Sequence, residues 1–309
     1  MTPSNSQTEN YAVGVLWMLT TMCLFVTMDT VAKYLTQSYP VAQVVWARFF
    51  FHMAWLTLYL RSSILQVVRS GNLKLQLVRS ACLMLTTLLF FTGLQTAELS
   101  TATSIMFLSP IFVTVLAVPL LGEKVGLRRL LGVLVGFLGA LIIVSPKSET
   151  SPALLSDSGF SITQWLPQTG HLILICAALS NALYQLMTRK LSSVDSSLTA
   201  LFYSGIIGAI GTTVWLPNVW QLPTVSDWLL LSCVGLLGCV SHFCLIRAFR
   251  NAPASLVVPF SYSALLWATI LGFIVFDTLP DRWTLLGAAL IVSSGLYIFY
   301  REKTLKEGS

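Results

Sequence analysis

Residues 12–35 read AVGVLWMLTTMCLFVTMDTVAKYL, an apolar run that admits a charge only at Asp29 and Lys33. At about 1.5 Å per residue, such a run crosses the ~30 Å hydrocarbon layer of a bilayer as one helix. Nine further runs of similar length follow, at 41–60, 78–97, 101–121, 126–145, 169–189, 198–217, 227–249, 254–276 and 282–300. The ten are numbered here as spans 1 to 10. With the first ten residues placed inside, the inner loops 61–79, 122–129, 189–197 and 250–253 hold Arg61, Arg69, Lys74, Arg79, Lys124, Arg128, Arg129, Arg189, Lys190 and Arg250. The tail adds Arg301, Lys303 and Lys306, whereas the outer side offers only Lys147 and Arg282. Cytoplasmic loops of membrane proteins carry the excess of Lys and Arg, so both termini are expected in the cytoplasm.

Composition supports the bilayer as solvent. Charged residues are 10% of the chain against 55% hydrophobic, and the mean hydropathy is +0.79; soluble domains carry about 25% charged residues. The net charge of +6 is mostly the inner-loop bias, which removes the case for a nucleic-acid partner. The polar first ten residues lack Lys and Arg, so no cleavable leader is expected. All six cysteines fall in predicted spans without a C-x-x-C pair and read as buried apolar side chains, not as metal ligands.

Five spans recur. At an offset of 155 residues Ala97-Glu98-Leu99-Ser100 lies over Ala252-Pro253-Ala254-Ser255, and Leu130-Leu131-Gly132 over Leu285-Leu286-Gly287. At 156, Ala32-Lys33-Tyr34-Leu35 meets Thr188-Arg189-Lys190-Leu191. Because five is odd, the second copy enters the membrane from the opposite face. The fold expected is an all-α polytopic membrane protein of ten transmembrane helices, built as two inverted-topology five-helix repeats. The organisation is then a tail 1–11, a first repeat 12–145, an outer linker 146–168, a second repeat 169–300 and a tail 301–309.

These residues resemble the drug/metabolite transporter superfamily, EamA type, over essentially the whole chain. In the first half the resemblance rests on Asp29-x-x-x-Lys33, Arg48, Ser109-Pro110, Gly122-Glu123 and Gly132. In the second it rests on Ala248 to Ser255, Pro259-Phe260-Ser261-Tyr262, Leu266-Trp267-Ala268 and Phe276 to Asp281. The second-half run is most similar to the branch with riboflavin transporters, S-adenosylmethionine carriers and metallophore exporters. The family often has Glu after the ninth span; here Asp277-Thr278 stands there, a helix-end feature to which no transport role is carried. The resemblance implies a central cavity walled by spans 1, 3, 4, 6, 8 and 9.

A charge in mid-membrane costs about 2.5–3.5 kcal/mol on insertion scales and is usually functional. Asp29 lies about 9 Å below the outer end of span 1, Arg48 about 10 Å below the same surface in span 2, and Lys33 one turn above Asp29. The shared depth predicts an Asp29–Arg48 ion pair, with Lys33 pairing or reaching outward; the cluster is either a tie between helices or an outer gate recognising an anionic group. Ser104, Phe107 and Pro110 of span 4, Asn181, Tyr184 and Gln185 of span 6, and Pro259, Tyr262 and Trp267 of span 9 are the further candidates for substrate binding or gating. Hydroxyls can satisfy themselves on their own helix, and Pro110 and Pro259 are expected to bend theirs. Tyrosine, tryptophan and hydroxyls suit a planar or zwitterionic metabolite. His52, His171 and His242 read as separate interior histidines. Glycines at 132, 136 and 139 mark a close helix contact, which allows a homodimer seam or ordinary packing.

No nucleotide-binding loop, H-E-x-x-H or G-x-S-x-G occurs, so neither ATP-driven chemistry, a catalytic set nor a cofactor is expected. The leading reading is secondary or facilitated transport of a small polar organic metabolite across an inner membrane by alternating access. An intramembrane enzyme using Ser109, Ser241 with His242, or Asp29 is the second reading; a sensor or assembly subunit without transport is the third.

Overall fold

A computed structural model describes residues 5–121, 127–144, 169–191, 194–251 and 258–307. Among these every regular element is a helix. The long elements are α1 (Asn5–Leu35), α2 (Val41–Leu60), a single turn α3 (Ile64–Val67), α4 (Leu73–Leu94), α5 (Leu99–Met106), α6 (Ser109–Leu121) and α7 (Leu127–Val144). The second half has α8 (Thr169–Leu191), α9 (Ser197–Thr213), α10 (Val225–Asn251), α11 (Ser263–Phe276) and α12 (Arg282–Glu307). The expected linker 146–168 lies outside the described residues.

Local signals set the ends. Pro40, which cannot donate to a preceding turn, stands as the N-cap of α2. Asn72 caps α4 by accepting the Leu75 amide at 3.1 Å, which starts span 3 five residues before the expected Val78. That shift draws Arg79, counted above with the inner loop, into the helix, where it is 1% exposed. Asp277 ends α11 in the left-handed region (φ 55°), and the Thr278 amide returns to the Gly272 carbonyl at 3.2 Å, a helix-closing turn usually given to glycine.

Spans 4 and 9 are broken, and at equivalent places. Span 4 changes from α5 to α6 at Phe107-Leu108, and Pro110 sits in the first turn of α6, where its missing amide costs nothing. Span 9 passes from a 3₁₀ turn (Val258–Tyr262), which contains Pro259, into α11. Phe107 and Tyr262, 155 residues apart, meet edge to face with ring centroids 5.0 Å apart. A repeat position touching its own equivalent places the pseudo-twofold axis beside it. Spans 5 and 10 obey the same axis. A Cβ on Gly139 would fall 2.6 Å from the Gly287 carbonyl oxygen, and one on Gly287 would fall 2.5 Å from that of Gly139. Ser294, the repeat equivalent of Gly139, donates to the carbonyl of Gly132, the equivalent of Gly287. The glycine stripe of span 5 therefore packs against this chain's own span 10. Gly139→Ala presses a methyl into backbone that cannot yield, and a loss of about 1–3 kcal/mol is expected, read as a lower unfolding midpoint in detergent. An unchanged midpoint would show that α7 and α12 are not in contact.

Two polar clasps join the repeats at opposite membrane faces. At the end where α1 gives way to α2, the Tyr39 hydroxyl donates to Asp227 at 2.6 Å, and Gln43 and Gln221 exchange side-chain-to-backbone bonds of 2.8 and 3.0 Å. At the other end, Asp195, the repeat equivalent of Tyr39, accepts from the Ser70 hydroxyl (2.6 Å), the Gly71 amide (2.7 Å) and Gln76 (2.7 Å). Burial works to raise the Asp195 carboxyl, but these three donors and the charge of Arg79 outweigh it and hold it below the usual carboxylate range. The stabilisation is thus complete above an unfolded aspartate's pKa of about 3.9 and is lost as pH falls through the lower folded value. Asp195→Ala should cost about 1–3 kcal/mol at pH 7, and the gap to the parent should shrink near pH 3. A gap independent of pH would remove the carboxylate from the clasp.

Candidate substrate site

Four helices bring charged or aromatic side chains to the middle of the bundle. The Lys33 ammonium fixes which way the polar face of α1 points. Its Nζ donates to the Leu94 carbonyl at 3.1 Å and to that of Ala97, and it lies 5.3 Å from the Phe276 ring. Lys33 thus reaches outward to one carbonyl at the C-terminal end of α4 and one in the turn after it, the second of the two options the sequence left open. Asp29, one turn below, is on the same face, half-buried, and accepts no hydrogen bond among the described residues.

The ion pair expected between Asp29 and Arg48 is absent. Arg48, 7% exposed, donates from Nη1 to the Thr87 hydroxyl of α4 and lies with Cζ 5.0 Å from the Phe49 ring. Equal depth fixes two groups along the membrane normal but not around their helix axes, and here the rotation of α2 turns the guanidinium towards α4. Arg48 Nε is buried without a partner, beside Gly238, whose missing side chain leaves room for it.

Around this pair the structure gathers residues that the sequence read as separate. His52 and His242, 190 positions apart, approach to 6.4 Å between ring centroids, and Phe25 packs edge-on to His242 at 5.0 Å. His52 Nε2 is buried without a partner. Arg79 lies 5.2 Å from the Tyr184 ring and donates to Gln76 (3.0 Å), Ser204 (2.8 Å) and the Ala200 carbonyl. Of these, Tyr184 is a candidate from the sequence and the two histidines read there as separate interior residues, whereas Arg79 was counted with the basic inner loop.

The other candidates divide. Ser104 is wholly buried and its hydroxyl returns to the Ser100 carbonyl at 2.8 Å, so it is spent on its own helix. Asn181 donates to Ser109 at 3.1 Å, and Ser109 to the Ala178 carbonyl at 3.0 Å, which ties α6 to α8. Gln185 and Pro110 are exposed. On α11, Trp267 Nε1 and Ser263 Oγ, one turn apart, are both buried without a hydrogen-bond partner. Buried donors left unpaired are rare and costly, and they mark groups waiting for a ligand or water. Ser241 Oγ, the nucleophile of an enzymatic reading, is bonded to the Leu237 carbonyl of its own helix.

Comparison with known proteins agrees with this architecture. The model of the EamA-like transporter family matches residues 12–145 and 168–300. The chain belongs to the EamA-like transporter family. It is a multi-pass membrane protein of a transporter family and not an enzyme. A relative named S-adenosylmethionine uptake transporter, from Rickettsia bellii, is 28% identical over 299 residues, covering 97% of each chain. A riboflavin transporter of Vibrio cholerae is 30% identical over 291 residues, with 92% of each chain covered. A crystal structure superposes with a TM-score of 0.64 at 18% identity, covering 95% of this chain and 99% of the other, which shows a shared fold.

Proposed function

We propose that this EamA-family protein carries a small polar organic metabolite bearing both charges across the cytoplasmic membrane, by alternating exposure of a site between the two repeats. The observation that carries the reading is the pair Asp29 and Arg48. One is a half-buried carboxylate without a partner among the described residues, the other a guanidinium whose Nε is buried and unbonded. Neither charge is neutralised by the protein, so a ligand offering an ammonium or sulfonium to Asp29 and an acceptor to the Arg48 side supplies what each lacks. Trp267 and Ser263 add two donors, and Tyr184, Phe107, Tyr262 and Trp267 add faces on which a planar group stacks. S-adenosylmethionine, named for one relative, bears a sulfonium and a zwitterionic end; riboflavin, named for another, is planar and uncharged. The charge pair favours the first class over the second, with amino-acid-like solutes and metallophores sharing that chemistry.

Proteoliposomes holding only this protein test the proposal. Uptake of radiolabelled S-adenosylmethionine above protein-free vesicles, stimulated by the same solute inside, is expected; riboflavin should compete weakly. Saturable binding without transfer would return the protein to the sensor class. Orientation is tested separately, on a background without the six native cysteines. A cysteine at Ser148 should react with an impermeant reagent from outside and one at Ser309 should not; the reverse pattern would invert the topology.

A further inference from the structure

Away from the central site, α2 and α10 part to leave a groove of about 320 Å³ floored by α9. Trp55 and Tyr59 of α2, Leu198 and Leu201 of α9, and Cys239 and Phe243 of α10 line it. Leu58, Tyr59 and Val240 on its rim are 61, 68 and 37% exposed, and at this depth exposure means contact with hydrocarbon. The groove runs towards the basic face of the membrane. Tyr59 and Phe243 narrow that end, with ring centroids 6.4 Å apart, and the Arg247 guanidinium lies 5.3 Å from the Phe243 ring. Arg61, two residues beyond Tyr59, closes α2 at φ 46°, a conformation side chains other than glycine rarely take. Both arginines are exposed and neither has an acidic partner among the described residues.

We propose that this groove binds one anionic glycerophospholipid, with an acyl chain along the groove and the headgroup phosphate between Arg61 and Arg247. An apolar slot in the bilayer takes hydrocarbon, and two exposed arginines without acidic partners among the described residues, one on Phe243 of the rim and one two residues past Tyr59, select a phosphate by charge-assisted, forked hydrogen bonds. A net negative headgroup is preferred to a zwitterionic one, whose ammonium would sit beside the same arginines. The walls come from both repeats, α2 on one side and α9 and α10 on the other, so a bound lipid bridges them. The site is independent of what the central cavity carries.

Native mass spectrometry of the full chain, titrated in detergent with phosphatidylglycerol or phosphatidylcholine of identical chains, decides the matter. The parent should hold one phosphatidylglycerol more tightly than phosphatidylcholine. At about fivefold per arginine, Arg61→Gln with Arg247→Gln should erase about twenty-fivefold of that preference. Val240→Trp, which fills the groove, should weaken both lipids alike. Equal binding of the two lipids by the parent, or a preference that survives the double arginine change, overturns the proposal. A dimer mass in place of lipid adducts also overturns it, by giving the groove to a second copy. Both arginines are at the surface, so the double variant decides the question even where Val240→Trp fails to fold.

Discussion

Asp29→Asn is expected to abolish substrate transfer while leaving the protein as stable as the parent, or more so. The carboxylate makes no hydrogen bond or ion pair among the described residues, and a charge at its depth costs about 2.5–3.5 kcal/mol on insertion scales. Asparagine keeps the shape and removes that cost. Water reaching the half-buried group offsets part of the penalty, so a gain of a few degrees at most is expected. Transfer should fall at least about thirtyfold, since losing one partner of a buried charge contact costs 2 kcal/mol or more. Initial rates in proteoliposomes and the unfolding midpoint of the same preparation give both readings. A midpoint several degrees lower would show that a protein partner holds Asp29, and parental transport would take it out of the substrate's path.

The sequence alone leads to the opposite expectation for stability, and the reason is instructive. Depth is legible in a membrane protein because span ends are marked by charge and turn residues; α2 runs from Val41 to Leu60, the very limits the apolar run prescribes. Rotation about a helix axis is not legible, because spans rich in apolar residues all round carry little amphipathic signal. Hence Arg48 turns to Thr87, and Lys33 to the carbonyls of Leu94 and Ala97, at the depths expected and with partners that were not. The repeat was legible from short matches near one offset, and it foretells that Phe107 and Tyr262 are equivalent, but not that they touch. The break at Phe107-Leu108 precedes Pro110 because proline is tolerated in the first turn of a helix. His52 and His242 read as separate in the sequence since each is unremarkable in its own span; only the packing of α2 against α10 joins them.

Arg48 should separate volume from charge. Arg48→Ala removes a side chain that is 7% exposed and packed on Phe49, and truncation of that size in a core costs about 2–5 kcal/mol. Arg48→Met keeps most of the volume, discards a buried charge with an unbonded Nε, and should leave the unfolding midpoint at or above the parent's. Thr87 is not stranded by either change, because its hydroxyl already donates to the Leu83 carbonyl at 3.0 Å. Stability therefore ranks methionine with the parent and alanine well below. Transport gives a different order if the guanidinium meets the substrate. Both variants should then lose at least about thirtyfold, and Arg48→Lys, which keeps the charge without the fork, should recover part of it. Parental transport in Arg48→Met would make the residue a packing element that Thr87 holds in place. Loss in methionine with partial rescue in lysine puts the charge itself in the path, opposite the carboxylate of Asp29.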